Sequence, residues 1–78
     1  MKATVHVFLK PGVLDVQGKA VESALHGLGW PGVADVRVGR VIELELPGDA
    51  AAVERDVTAM CERLLANTVI EGYRVEVS

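Results

Sequence analysis

The opening segment of the chain alternates apolar and polar side chains. One face of residues 3–9 carries only apolar residues: Ala3, Val5, Val7 and Leu9. A period of two is typical of a β-strand with one buried face, and Pro11-Gly12 ends the pattern. Residues 73–77 alternate in the same way. The pattern therefore predicts one strand near each end of the chain.

Two further segments repeat their apolar residues at the spacing of one helical face. The first covers about residues 16–28, with Asp15 as its N-cap. Its apolar stripe consists of Val21, Ala24, Leu25 and Leu28. The second covers about residues 50–66, with Asp49 as its N-cap and Asn67 at its left-handed end. Its stripe consists of Val53, Val57, Met60, Cys61 and Leu64.

Residues 33–46 are predicted to form a β-hairpin around Gly39-Arg40. A two-residue turn would place Val36 on the same face as the glutamates of the second strand. One further residue in the turn, or a bulge, pairs Val38 with Ile42 and restores an apolar face, because a one-residue slip inverts every side chain. The bulged register is therefore the one predicted.

These elements give the order β-α-β-β-α-β in a single domain over residues 1–78. Short connections and right-handed crossovers favour an antiparallel sheet with both helices on one face. The predicted class is α+β, of the ferredoxin-like kind. A variant that exchanges a strand between subunits would show the same local pattern, so both forms stay open.

The composition predicts a protein that associates with copies of itself. A domain of 78 residues buries only about 60–65% of the surface of its unfolded chain. The single cysteine excludes an intrachain disulfide framework, yet 50% of the residues are hydrophobic and the mean hydropathy is +0.30. So small an interior cannot hold all of these side chains, and we expect some of them at an interface.

Charge and hydropathy exclude two classes of partner. The net charge is −3 with scattered Lys and Arg, whereas a nucleic-acid-binding surface needs clustered basic residues. The longest apolar runs are far shorter than the roughly 20 residues that span a bilayer, so no membrane partner is predicted. With no export signal at its start and one unpaired cysteine, the chain is expected in the cytoplasm.

No catalytic or metal-binding constellation emerges from the sequence. Cys61 lies on an apolar helix stripe, which favours a buried structural thiol over a nucleophile. His6 and His26 lie on different elements and offer no metal-ligand spacing. Glu43 and Glu45 are interpreted as solvated residues that discourage edge contacts. We therefore predict no catalytic, cofactor-binding or metal-binding residue.

Two features have more than one interpretation. Gly18 falls in the first turn of a predicted helix, where glycine costs about 1 kcal/mol relative to alanine. Either close backbone packing or tolerance near a helix end would explain it. In the connector before the last strand, Val69 and Ile70 either plug the end of their own core or, together with Tyr73, dock on a second copy. We favour docking.

Three stretches of the chain resemble the PurS subunit of bacterial and archaeal phosphoribosylformylglycinamidine synthase. They are residues 10–21 (KPGVLDVQGKAV), 35–44 (DVRVGRVIEL) and 61–71 (CERLLANTVIE). With the matching length and element order, the resemblance covers essentially the whole chain. Val16 departs from it, because the family commonly has proline at this position. Proline suits the first position of a helix, so a slightly looser helix start is expected.

The resemblance implies a small non-catalytic subunit of a purine-biosynthesis complex. That complex converts formylglycinamide ribonucleotide to formylglycinamidine ribonucleotide with ATP and glutamine. A glutaminase subunit releases ammonia, and a large synthetase subunit, which holds ATP and Mg²⁺, accepts it. PurS-like chains form dimers or tetramers, bridge the two other subunits and thereby support ammonia transfer. The resemblance supplies no catalytic residues, only these interface candidates: Asp15, Gln17, Gly18, Arg37, Asn67, Thr68, Glu71 and Tyr73.

The alternative is a dimeric regulatory module that binds a small molecule, such as an amino acid, between its subunits. It would use the glycines and polar groups of the first strand-to-helix loop, residues 11–18. A stand-alone enzyme is the least favoured interpretation, because it would need a convergent polar site that the sequence does not show.

Overall fold

The secondary structure follows the predicted boundaries closely at both ends of the chain. A computed structural model describes all of residues 1–78. Its elements are β1 (Lys2–Leu9), α1 (Val16–Gly27), β2 (Arg40–Glu45), α2 (Ala50–Met60), a π-helical turn (Cys61–Leu65) and β3 (Glu71–Val77). The second helix therefore covers the predicted length but loosens its pitch in the last turn.

The three strands form one antiparallel sheet in the order β2-β1-β3. In the middle of the sheet Val5 lies between Ile42 and Val75. Because side chains alternate across a strand, this register places the apolar residues of all three strands on one face. The predicted α+β class and antiparallel sheet are confirmed.

The core lies between this face of the sheet and α2. Ala3, Val5, Val53, Val57 and Cys61 are completely buried there. Asp49 begins α2 by accepting a hydrogen bond from the backbone N–H of Ala52 at 2.9 Å, as a helix N-cap does. Burial raises the pKa of the Cys61 thiol, which fits the predicted structural role.

The hairpin predicted over residues 33–46 is not formed. Only Arg40–Glu45 is a strand, and it pairs with β1, while residues 33–39 join no sheet. Gly39 is not in a turn: a Cβ atom there would lie 2.6 Å from the backbone carbonyl oxygen of Val7. The glycine allows two segments of backbone to pass closely. In the sequence, a glycine required for such close packing looks the same as a glycine required for a turn.

The prediction that both helices cover one face of the sheet is wrong for α1. This helix makes no extended contact with any strand or with α2. The molecule is 48 Å long, and its radius of gyration is 15.8 Å, against about 11.5 Å expected for a compact domain of this length. We call α1 and the return segment of residues 28–39 the arm, and the sheet with α2 and the π-helical turn the body.

The return segment runs back along α1 from the tip of the arm to the sheet. At the tip, His26 Nε2 lies 2.6 Å from the carbonyl oxygen of Val33. Near the start of α1, the Val36 carbonyl oxygen lies against Gly18. Gly39 then brings the chain to β1. We call this return segment of residues 28–39 the strap. The arm therefore consists of α1 and the strap, whose irregular backbone runs antiparallel to the helix.

Candidate interaction surfaces

Asp15 is the most buried polar residue of the chain and lies where the arm meets the body. Its side chain is 5% exposed. One carboxylate oxygen accepts from the backbone N–H of Gly18 at 2.7 Å, and the other accepts from the backbone N–H of Val38 at 2.8 Å. These two hydrogen bonds, in that order, lower the pKa of Asp15, and the Arg37 guanidinium lowers it further. The aspartate joins the start of α1 to the end of the strap.

Gly18 is required by close packing within the chain, which answers the question that the sequence left open. A Cβ atom on Gly18 would lie 2.2 Å from the carbonyl oxygen of Val36 and 2.9 Å from the carboxyl carbon of Asp15. Real Cβ atoms do not approach backbone oxygens this closely. Glycine at this position therefore lets the strap lie directly on the helix.

Arg37 braces the loop between β1 and α1. Its guanidinium donates to three backbone carbonyl oxygens: Val13 at 3.2 Å, Lys10 at 3.4 Å and Leu9 at 3.5 Å. Its Nε atom lies 4.0 Å from the Asp15 carboxylate. We call Asp15, Gly18, Val36, Arg37 and Val38 the arm knot.

A second network closes the end of the core. Arg40 donates to the Glu71 carboxylate at 2.7 Å and to the Leu65 carbonyl oxygen at 2.6 Å. Glu71 also accepts from the backbone N–H of Asn67 at 2.7 Å. The bond from Arg40, followed by that from Asn67, lowers the pKa of Glu71. The network is therefore complete above the ordinary pKa of glutamate and is lost as the pH falls through the lowered value.

The eight interface candidates fall into two groups. Asp15, Gln17, Gly18 and Arg37 lie at the base of the arm, while Asn67, Thr68, Glu71 and Tyr73 lie at the adjacent end of the sheet. Asp15, Gln17, Arg40 and Glu71 line a common hollow of about 240 Å³. Arg40, which the sequence reading assigned to a turn, is the residue of this region that was missed.

Several candidates act within the chain. Asp15 and Gly18 are buried, and the Thr68 carbonyl oxygen accepts from Lys10 Nζ at 2.7 Å. Tyr73 packs against the core, and the Glu62 carboxylate beside its hydroxyl raises its pKa. Gln17 and Asn67 are exposed.

The arm carries a group of exposed apolar side chains with no cover from the body. Its members, 42–71% exposed, are Val16, Val21, Leu28 and Trp30. Of the predicted helix stripe, Val21, Ala24 and Leu28 are exposed and Leu25 is half-buried, so the body does not cover this stripe. In the connector, Val69 is 82% exposed and Ile70 is 40% exposed, and neither belongs to the core cluster. Tyr73, in β3, packs against the core.

The first strand-to-helix loop borders a cavity of about 300 Å³. Four of the five charged groups around it are already paired: Asp15 and Arg37 belong to the arm knot, and Lys19 lies 3.8 Å from Glu22. The fifth, Asp35, forms no ion pair. No group of three or more His, Cys, Asp and Glu side chains could hold a metal ion. None of the helices has the length and apolar character needed to cross a bilayer.

The family follows from comparison of the whole chain with known proteins. The model of the family described as PurS, phosphoribosylformylglycinamidine (FGAM) synthase, matches residues 2–78. The chain belongs to the PurS family. The Bacillus subtilis phosphoribosylformylglycinamidine synthase subunit PurS is 50% identical over 76 residues, which cover 97% of this chain and 90% of that protein.

Solved structures of the PurS family have the same fold. Methanocaldococcus jannaschii PurS, one of the subunits of formylglycinamide ribonucleotide amidotransferase, matches with a TM-score of 0.91 and 38% identity over 99% of this chain and 94% of its own. A chain of the Thermotoga maritima PurLQS structure matches with a TM-score of 0.85 and 29% identity, covering 96% of this chain and 93% of that one. The elongated shape, arm included, is therefore a property of the PurS fold.

Proposed function

We propose that this chain is the small, non-catalytic subunit of a phosphoribosylformylglycinamidine synthase and that it holds the glutaminase and the large synthetase subunit together. Membership of the PurS family and the fold shared with a chain of the PurLQS structure support the subunit role. The chain contributes to a ligase that uses ATP and glutamine to convert formylglycinamide ribonucleotide to formylglycinamidine ribonucleotide in purine biosynthesis.

The single observation that carries the bridging role is the uncovered apolar side of the arm. A monomer that exposes Val21, Leu28 and Trp30 on the projecting arm leaves apolar surface in water, which is unfavourable. A second copy of the chain would cover these residues, and we propose a dimer or a tetramer of such copies. A symmetric adaptor of this kind repeats each of its outer surfaces, which allows it to hold several larger subunits at once.

Holding two active sites together is chemically useful for this reaction. Ammonia released into bulk water is protonated and diluted, whereas a closed contact between subunits keeps it unprotonated and near its acceptor. The proposed role of this chain is to brace that contact. ATP and Mg²⁺ would be held by the large subunit, and none by this chain. We place the complex in the cytoplasm.

The experiment for this proposal is assembly of the complex from its purified parts. Size-exclusion chromatography of the glutaminase and the large synthetase subunit of the same organism is run with and without this chain. We expect one joint peak containing all three proteins when the chain is present, and separate peaks for the other two when it is absent. Joint elution of the two large proteins without the chain, or elution of the chain only by itself, would contradict the proposal.

A further inference from the structure

The direction of the arm depends on very few contacts. Since α1 makes no extended contact with the body, nothing along its length holds it at a given angle. Two connections join it to the sheet: the loop of residues 10–15 and the strap of residues 28–39. Whatever ties these two connections to each other therefore determines where the arm points.

We propose that the arm knot sets the direction of the arm, and that Asp15, Gly18 and Arg37 are positioning residues that hold the arm's apolar face ready for a second copy of this chain. This inference rests on the proposed self-association. It changes the interpretation of three interface candidates: they would act on the interface through the arm and would not touch the partner.

The Asp15 carboxylate is suited to this role because each of its oxygens serves a different connection. The bond from Gly18 fixes the first turn of α1, and the bond from Val38 fixes the strap. Val38 precedes Gly39, whose backbone lies against the Val7 carbonyl oxygen in the sheet. The carboxylate therefore ties the helix to a point of the chain two residues before Arg40, which pairs with Val7 in the sheet.

Arg37 and Gly18 remove the remaining freedom at the base of the arm. Arg37 sits on the strap and donates to the Lys10 and Val13 carbonyl oxygens of the other connection, so it joins the two connections a second time, ahead of Asp15. The strap lies so close to Gly18 that a rotation of α1 in one direction would drive the helix into the Val36 carbonyl. Swinging the arm requires these contacts to break together.

The effect of a weakened knot on self-association depends on the fraction of molecules whose arm is correctly placed. If a weakened knot leaves an arm correctly placed only about a tenth of the time, the apparent Kd for a contact made by that arm rises about tenfold. A symmetric pair in which both arms must be in place loses the factor twice. The expected weakening of self-association is then about a hundredfold.

Two aspartate substitutions of identical chemistry separate this proposal from a general loss of stability. Asp15→Asn replaces one acceptor oxygen by an N–H donor, so the side chain cannot accept from both Gly18 and Val38. Asp49→Asn changes an aspartate that caps α2 with one bond only, to Ala52. Asparagine caps helices about as well as aspartate, so this variant keeps its bond.

The chain contains its own reporter for arm motion. Trp30 is the only tryptophan and lies at the tip of the arm. Time-resolved fluorescence anisotropy of Trp30 should follow the tumbling of the whole particle in the wild type and in Asp49→Asn. In Asp15→Asn we expect an additional nanosecond component, because an arm released at its base swings on that timescale. Sedimentation velocity should show the hundredfold weaker association for Asp15→Asn alone.

The outcomes separate the two proposals. Unchanged anisotropy and unchanged association in Asp15→Asn would overturn the arm-knot proposal. A monomeric wild type would overturn the proposed self-association. The arm knot would then not prepare the arm for a second copy. The Trp30 measurement on that monomer would still decide whether the knot holds the arm: a released arm in Asp15→Asn supports its positioning role, and an unchanged arm excludes it.

Discussion

Replacing Gly18 by alanine is expected to lower the free energy of unfolding by about 1–3 kcal/mol, because the added methyl group overpacks a site that cannot expand. The new Cβ atom would lie 2.2 Å from the backbone carbonyl oxygen of Val36. Backbone cannot rotate aside as a long side chain can. Urea denaturation followed by the fluorescence of Trp30, the only tryptophan, measures the loss.

The matched control is the same substitution at the other end of the same helix. A Cβ atom on Gly27 meets nothing within 4 Å, and the residue has an ordinary helical backbone. Gly27→Ala is therefore expected to raise the free energy of unfolding by about 0.5–1 kcal/mol, since alanine has less conformational freedom to lose. Equal effects of the two substitutions would show that the strap does not lie on Gly18.

Replacing Val21 by aspartate is expected to weaken self-association at least about a hundredfold. Burying a valine side chain stabilises an interface by about 1.5 kcal/mol or more, and a symmetric dimer loses two. A buried carboxylate adds a desolvation cost. Valine and aspartate have similar helix propensities, so α1 itself should persist, which circular dichroism can check. Sedimentation equilibrium measures the dissociation constant.

Val69→Asp is the comparison that locates the contact. Val69 is also exposed, but it lies in the connector before β3 and not on the arm. If the arm forms the contact between copies, Val69→Asp should leave the dissociation constant almost unchanged. Dissociation caused by Val69→Asp and not by Val21→Asp would place the contact on the connector and would contradict a contact formed by the arm.

The parts of the fold that could be predicted from the sequence are those with a local cause. The alternation of residues 3–9 depends only on the pleat of a strand, and the caps Asp15 and Asp49 act on residues three positions away. The first and last strands and the starts of both helices were therefore predicted closely. The left-handed conformation predicted for Asn67 is wrong, because Asp35 is the only non-glycine residue with a positive φ. The buried Cys61 follows from the helical spacing of the apolar residues in the segment of residues 50–66.

The errors arose where the cause is distant in the sequence. Gly39 is required by a contact with Val7, more than thirty residues earlier, and no local pattern distinguishes such a contact from a turn. The apolar stripe of α1 shows that the helix must be covered, but a stripe does not specify whether the cover belongs to the same molecule. The hairpin and the placement of α1 were wrong for these reasons.

The candidate residues were found from family-like motifs, which do not distinguish a contact residue from one that shapes the contact surface. Asp15 and Glu71 were predicted to lie at an interface, and both accept two or more hydrogen bonds from their own chain. Arg40 was missed because it follows the glycine that was interpreted as a turn. Only the three-dimensional structure brings it to Glu71 at 2.7 Å.

The most direct test of the bridging role is product formation by the reconstituted complex. The large synthetase subunit and the glutaminase are assayed with glutamine and, separately, with ammonia, each with and without this chain. We expect glutamine-dependent synthesis only when the chain is present, and ammonia-dependent synthesis whether it is present or not. Equal glutamine-dependent rates with and without the chain would contradict the account, because the ammonia would then reach the synthetase without the bridge.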